Sequence, residues 1–313
     1  CRDRPSMSVA TSNQTKPRRL LPCVRAPRLT RLSTLFDLMP LIPLEDNFDD
    51  VINKAQLGLK VSDEDLAKRA EISLEDLTKV KGGEPLHAVI RRIARHLRLN
   101  PNALEALARK SWYPEVPVFP RGFAAFNTPF EDMTVNSFLI WDPKTKEAVA
   151  FDTGASAEAM SDVVRSDKLR LQYIFITHNH TDHVVALDEL SEAHPQAEIW
   201  SHEQEPLAHP KARYFKEGVH FHVGALDIKT VLTPGHSVGQ TTFFVSGLSW
   251  PLAVIGDSLF ASSVGGSSTN YLVQLKSNRQ KIFTLPRDTV LAPGHGPLTT
   301  LSQEKKHNPV FCY

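Results

Sequence analysis

The chain has 313 residues, 41% of them hydrophobic and 23% charged, with a formal net charge of +1. That is enough apolar material for about two domains with cores of their own, and the near-neutral balance gives no bulk attraction to nucleic acid or to an anionic membrane. The three cysteines, Cys1, Cys23 and Cys312, sit at the two ends without metal-ligand spacing, which argues against a disulfide framework or a thiolate metal site and fits a reducing compartment.

Residues 1–38 carry seven arginines against two acids, Asp3 and Asp37. The stretch has no periodicity and is read as a disordered leader or non-native upstream segment, with Met39 as the natural start. A basic, acid-poor transit peptide is the other reading. The expected location is cytoplasmic, or organellar if that leader is genuine. No run of about 18 apolar residues occurs, so no membrane span is expected.

Residues 39–115 are read as a small all-helical domain. Ser62 precedes Asp63, Glu64 and Asp65, an N-cap with acids in the first turn. Leu66, Ala67 and Ala70 follow at helical spacing. Ser73 caps a second short helix carrying Leu74, Leu77 and Val80, stopped by Gly82-Gly83. Pro85 suits the start of a longer helix through Val89, Ile93 and Leu97, and Asn100-Pro101 begins another. The run LAKRAEISLEDLTKVKGGE resembles the helix-turn-helix core of the lambda-repressor family. That resemblance implies DNA binding, but Glu75 and Asp76 would face phosphates at the start of the recognition helix. Residues 62–110 hold ten basic side chains against eight acidic ones, so a structural or partner-binding role is expected instead.

A Pro-rich connector, Trp112 to Pro120, leads into residues 116–313, where short apolar runs alternate with Gly, Asp and Pro. Val135–Trp141 and Ala148–Phe151 flank Asp142-Pro143-Lys144-Thr145-Lys146 as a hairpin. Helices are predicted over 157–166, 184–193 and 271–285. Strands are predicted over 172–177, 198–201, 241–246, 252–255 and 289–292, with two or three more in 219–232. Strand pairs followed by helices in two halves predict an α/β sandwich.

The chemistry gathers at strand ends. Thr177-His178-Asn179-His180-Thr181-Asp182-His183 follows the apolar run Tyr173-Ile174-Phe175-Ile176. Three imidazoles and a carboxylate within six residues can grip divalent cations. Three further segments each follow an apolar run and offer one candidate ligand through a glycine turn. They are Pro234-Gly235-His236-Ser237, Gly256-Asp257-Ser258-Leu259-Phe260 and Pro293-Gly294-His295-Gly296-Pro297.

The order HxHxDH, PGHS, GDSLF, PGHGP resembles the metallo-β-lactamase superfamily, and its glyoxalase II-like branch most. The resemblance covers about residues 120–310 and includes Phe151-Asp152-Thr153-Gly154, similar to the family's DTG turn. It implies an αββα sandwich behind the helical domain. It also implies two divalent ions, zinc by default and iron or manganese as alternatives. His178, His180 and His236 would hold the first ion, and Asp182, His183 and His295 the second. Asp257 would bridge them, and Asp152 would orient a ligand imidazole.

The implied reaction is hydrolysis of a thioester, ester or lactone in a small-molecule substrate by a metal-activated water, with Asp182 handling its proton. Asp at position 257, where antibiotic-hydrolysing members resemble Cys or Ser, points away from β-lactams. Ser263-Val264-Gly265-Gly266-Ser267-Ser268 lacks the arginine of the branch's "GRTD"-like turn. With 18 residues after His295, the helical domain that grips glutathione in full-length glyoxalase II is not expected here. Rival readings are a mononuclear iron persulfide dioxygenase, a nuclease disfavoured by the charge balance, and a DNA-binding regulator with a metal-binding sensor domain.

Overall fold

A computed structural model of the chain describes residues 41–312 apart from 116–117 and 268–269. The predicted leader, with Cys1, Cys23 and Met39, lies outside the described residues. The described residues from Ile42 onwards cluster as one compact unit.

Five helices come first: α1 (Phe48–Leu59), α2 (Asp63–Ala70), α3 (Leu74–Lys81), α4 (His87–His96) and α5 (Pro101–Ala108). Ser62 Oγ accepts from the Asp65 amide at 3.1 Å and Ser73 Oγ from the Asp76 amide at 3.0 Å, so both predicted caps hold their helices. Helix α1 was not predicted. It buries Phe48, Val51, Ile52 and Ala55, a helical stripe, and Asp50 Oδ2 accepts from the Asn47 amide at 2.9 Å.

The rest is two six-stranded sheets packed face to face with helices outside. The first sheet runs in chain order: β1 (Phe123–Phe130), β2 (Met133–Trp141), β3 (Glu147–Phe151), β4 (Arg170–Phe175), β5 (Glu198–His202) and β6 (Ala212–Phe215). Strands β1 to β3 are antiparallel and β3 to β6 parallel. The second contains β7 (His220–Val223), β8 (Leu226–Leu232), β9 (Thr241–Ser246), β10 (Leu252–Gly256), β11 (Val290–Pro293) and β12 (Thr299–Thr300). Helices α6 (Glu158–Ser166), α7 (Thr181–Val184) and α8 (Leu187–Ala193) belong to the first half; α9 (Tyr271–Ser277) and α10 (Leu301–His307) belong to the second. The predicted helix over 184–193 is thus two pieces. The one over 271–285 passes into a π turn at Asn278–Ile282, where Asn278 Nδ2 donates to the Ser258 carbonyl at 2.5 Å.

Period-two alternation divides the cores. Phe138, Ile140, Val149 and Phe151 point between the sheets, against Phe243, Val245, Leu252 and Val254. Leu139, Trp141, Ala148 and Ala150 face the other way, onto Met160 and Val164 of α6 and Leu187 and Leu190 of α8. On the far face of the second sheet, Ala253, Ile255 and Leu291 share one core with Tyr271, Leu275 and Leu301 and with the N-terminal helices. A β-carbon on Gly58 would fall 2.2 Å from the Tyr271 ring, so α1 and α9 meet nearly backbone to ring. Among the described residues no helix is long and apolar enough to cross a membrane.

One buried acid makes this outer layer pH-sensitive. Glu304 is fully buried and accepts from Thr299 Oγ1 at 2.7 Å, Asn308 Nδ2 at 2.8 Å and the Ser262 amide at 3.1 Å. Burial outweighs these bonds and lifts its pKa from 4.5 to about 7. Between those values the folded chain holds a proton that the unfolded chain has lost. The group's contribution to stability is therefore present below about 4.5 and falls as pH rises towards 7. Glu304→Gln keeps the shape without the charge. Denaturant melts of the two proteins are expected to agree near pH 4.5 and to diverge by up to about 3 kcal/mol in favour of Gln by pH 8.

Candidate metal centre

Strands β3, β4, β8, β10 and β11 all end at the same edge of the sandwich. Each apolar run is buried, and the polar residue after it is delivered to that edge. Strand β3 delivers Asp152. Strand β4 delivers the loop 176–180 and then α7, with Asp182 and His183; β8, β10 and β11 deliver His236, Asp257 and His295. The Thr241 amide donates to the Thr177 carbonyl at 2.9 Å and ties the two sheets together at this point.

The structure brings all seven candidate ligands into one cluster. His180 Nδ1 lies 3.1 Å from His178 Nε2 and 2.9 Å from His236 Nε2. Asp182 Oδ2 lies 3.3 Å from His183 Nε2 and 3.1 Å from His295 Nε2. Asp257 stands between the two groups. Its Oδ1 is 3.4 Å from His183 Nε2, and its Oδ2 is 3.5 Å from both His236 Nε2 and His295 Nε2. The ligand atoms of His178, His180 and His236, and those of Asp182, His183 and His295, each fall within 4.8 Å of one another.

The outward nitrogens are fixed by acceptors. Asp152 Oδ2 accepts from His183 Nδ1 at 2.8 Å, the Thr134 carbonyl from His295 Nδ1 at 2.7 Å, and the Gly266 carbonyl from His236 Nδ1 at 2.8 Å. Thr177 Oγ1 donates to Asp152 Oδ2 at 2.9 Å, so at 3.1 Å it accepts from His178 Nδ1. Four imidazoles therefore turn Nε2, and His180 turns Nδ1, towards the centre.

This donor set suits cations. His183 Nε2 and Asp257 Oδ1 are buried, face each other and have no hydrogen-bond partner among the described residues. A buried polar pair left this way is costly unless something else satisfies it. The field is also strongly negative. Burial opposes charge on His183 and His295, yet Asp152 and Asp257 push the first up to about 10, and Asp257 and Asp182 push the second up to about 11. Burial would raise Asp257, but His295 and His183 hold its carboxyl well below the usual range. Imidazole and carboxylate without thiolate fit zinc, iron or manganese.

The metallo-β-lactamase superfamily profile matches residues 131–295, more than half of the chain and the whole ligand set. The chain belongs to the metallo-β-lactamase superfamily. It is similar to a probable metallo-hydrolase of Streptococcus pyogenes, 28% identical over 188 residues, covering 52% of this chain and 80% of that one. It is also similar to the hydroxyacylglutathione hydrolase GloC of Haemophilus influenzae, 29% identical over 197 residues, covering 56% and 91%. Among solved structures, the BLEG-1 B3 metallo-β-lactamase superposes with a TM-score of 0.53 at 27% identity, over 61% of this chain and all of that one.

Two supports of the family's site were invisible to sequence reasoning. Thr177 joins Asp152 to His178 by its hydroxyl. Glu205, 2% exposed, accepts from the Asn179 amide at 3.1 Å and the Gly239 amide at 2.7 Å. It thereby locks the His178–His180 loop to the loop that follows His236. Its partners are backbone amides, which leave no residue-type signal.

Proposed function

We propose that the chain is a dinuclear metal-dependent hydrolase of a thioester, ester or lactone. The observation that supports this most is the position of Asp257 Oδ2, equidistant from a histidine of each ligand group. His178, His180 and His236 would hold one ion; Asp182, His183 and His295 the other; Asp257 both. When bound, two such ions supply Lewis acidity at the carbonyl oxygen and a water acidic enough to lose a proton near neutral pH.

The chain's own residues do the rest. Asp182 is the most exposed carboxylate of the cluster. Its Oδ2 is engaged by His183 and His295, and its other oxygen would take a proton from an attacking water. Burial would raise its pKa, but the bond from His295 together with the charges of His183 and His295 lowers it, so it meets that proton as a carboxylate. Asp152, Thr134 and Gly266 fix the ring angles, so little reorganisation is needed during turnover. The similarity to relatives named metallo-hydrolase and hydroxyacylglutathione hydrolase supports the carbonyl class of substrate.

The test is metal analysis of protein reconstituted with zinc, iron or manganese, followed by a panel of thioesters, esters, lactones and phosphodiesters. About two ions per chain and turnover of a carbonyl substrate are expected. One iron per chain, with oxygen uptake on a persulfide, would overturn the reading.

A further inference from the structure

The family match begins at residue 131, yet part of the metal centre's wall comes from much earlier in the chain. Asp46 bonds Lys54 Nζ at 2.5 Å and also accepts from Ser263 Oγ. Lys54 Nζ in turn donates to the Val264 carbonyl at 3.0 Å and sits 5.2 Å above the Phe260 ring. Phe260 meets His295 edge to face at 5.5 Å. These contacts clamp the segment before α1 onto the turn that follows Asp257.

Glu45 is the residue so positioned. Gly296, next to His295, has φ +71°, and a β-carbon there would lie 3.1 Å from the Glu45 nitrogen and 3.5 Å from its Cβ. Glu45 is half-buried; burial pushes its pKa up, the charge of His295 pulls it down, and those of Asp46 and Asp257 add to the rise. No described residue pairs with it by hydrogen bond or ion pair. Its neighbour Asp46 takes the structural bonds, and Glu45 itself packs against Gly296, the residue after His295.

We infer that Glu45 is a specificity-determining residue on the His295 side of the metal centre. It favours substrates that present a positive charge or a hydrogen-bond donor there and disfavours anionic ones. The inference rests on the hydrolase reading for the word substrate, but its geometry concerns any ligand seated on the ions. A negative charge beside a partly buried site changes the affinity of a nearby charged group by roughly three- to ten-fold. A diacidic thioester such as a glutathione conjugate would then be a poorer fit than a neutral or amino-bearing one.

The probes are three thiols that carry their terminal group on the same two-carbon linker: 2-aminoethanethiol, 2-mercaptoethanol and 3-mercaptopropionate. Each is titrated calorimetrically into the zinc-loaded full chain, its Glu45→Gln variant and a Glu64→Gln control at an exposed position of α2. The ratio of aminoethanethiol to mercaptopropionate affinity is expected to fall about three- to ten-fold in Glu45→Gln alone, with zinc content unchanged. An equal ratio in all three proteins, or an equal fall in the control, overturns the inference. This readout needs no turnover. If the substrate panel is inert while the thiol ratio still depends on Glu45, the hydrolase reading fails and the inference stands.

Discussion

Asp257→Ala is expected to lower kcat/KM by roughly 10³-fold or more and to leave the purified protein with less than one ion per chain. The two effects should arrive together. Each carboxylate oxygen faces a different part of the cluster, Oδ1 towards His183 and Oδ2 towards His236 and His295. Asp152 cannot substitute, because it already accepts from His183 and Thr177 on the outer side. Removal also strands the buried imidazoles whose charge Asp257 balances, so the metal-free variant should melt below the wild type. Asp257→Asn separates shape from charge: it should keep more of the fold and still lose metal. Metal analysis, steady-state kinetics and thermal melts of the three proteins decide the matter. Full activity with two ions bound in Asp257→Ala would refute the bridging role.

The His178–His183 cluster was readable because a tight loop after a strand places candidate ligands by local geometry alone. His236, Asp257 and His295 were readable one step less directly, each after an apolar run that had to end at the same edge. What escaped was contact at a distance or signal too short to repeat. Strand β1 carries Pro129 and pairs on one side only, with β2, so it lacks both an alternating pattern and a central strand's composition. Strand β6 is four residues long on the opposite edge. Helix α1 does carry a periodic stripe, but its packing partner Tyr271 lies more than two hundred residues away. The turn through which Glu45 and Asp46 reach Ser263 and Gly296 is equally non-local. Glu205 and Glu304 look like surface acids in sequence, and only their backbone and side-chain partners show why they are buried.

Close packing against two side chains of the centre yields the second large effect. Gly294→Ala should cost about 100-fold or more in metal affinity, with activity falling in proportion, while the fold loses only about 1–3 kcal/mol. Backbone strain is not the cause, since Gly294 does not require a positive φ. Its amide donates to the Gly256 carbonyl at 3.0 Å and its carbonyl accepts from the Asn136 amide at 2.7 Å, so both sides of the residue are pinned. An alanine methyl would fall 2.2 Å from Asp257 Oδ1 and 2.6 Å from His183 Cε1. It cannot retreat, so the two side chains must. They are the pair whose facing atoms make no hydrogen bond, and any shift opens the distance a cation would span. Gly266→Ala is the control: its carbonyl holds His236 at 2.8 Å, but a methyl there meets nothing within 4 Å. Zinc titration and kinetics of the two variants should separate cleanly. Equal zinc affinity in both would mean that His183 and Asp257 do not share the metal site.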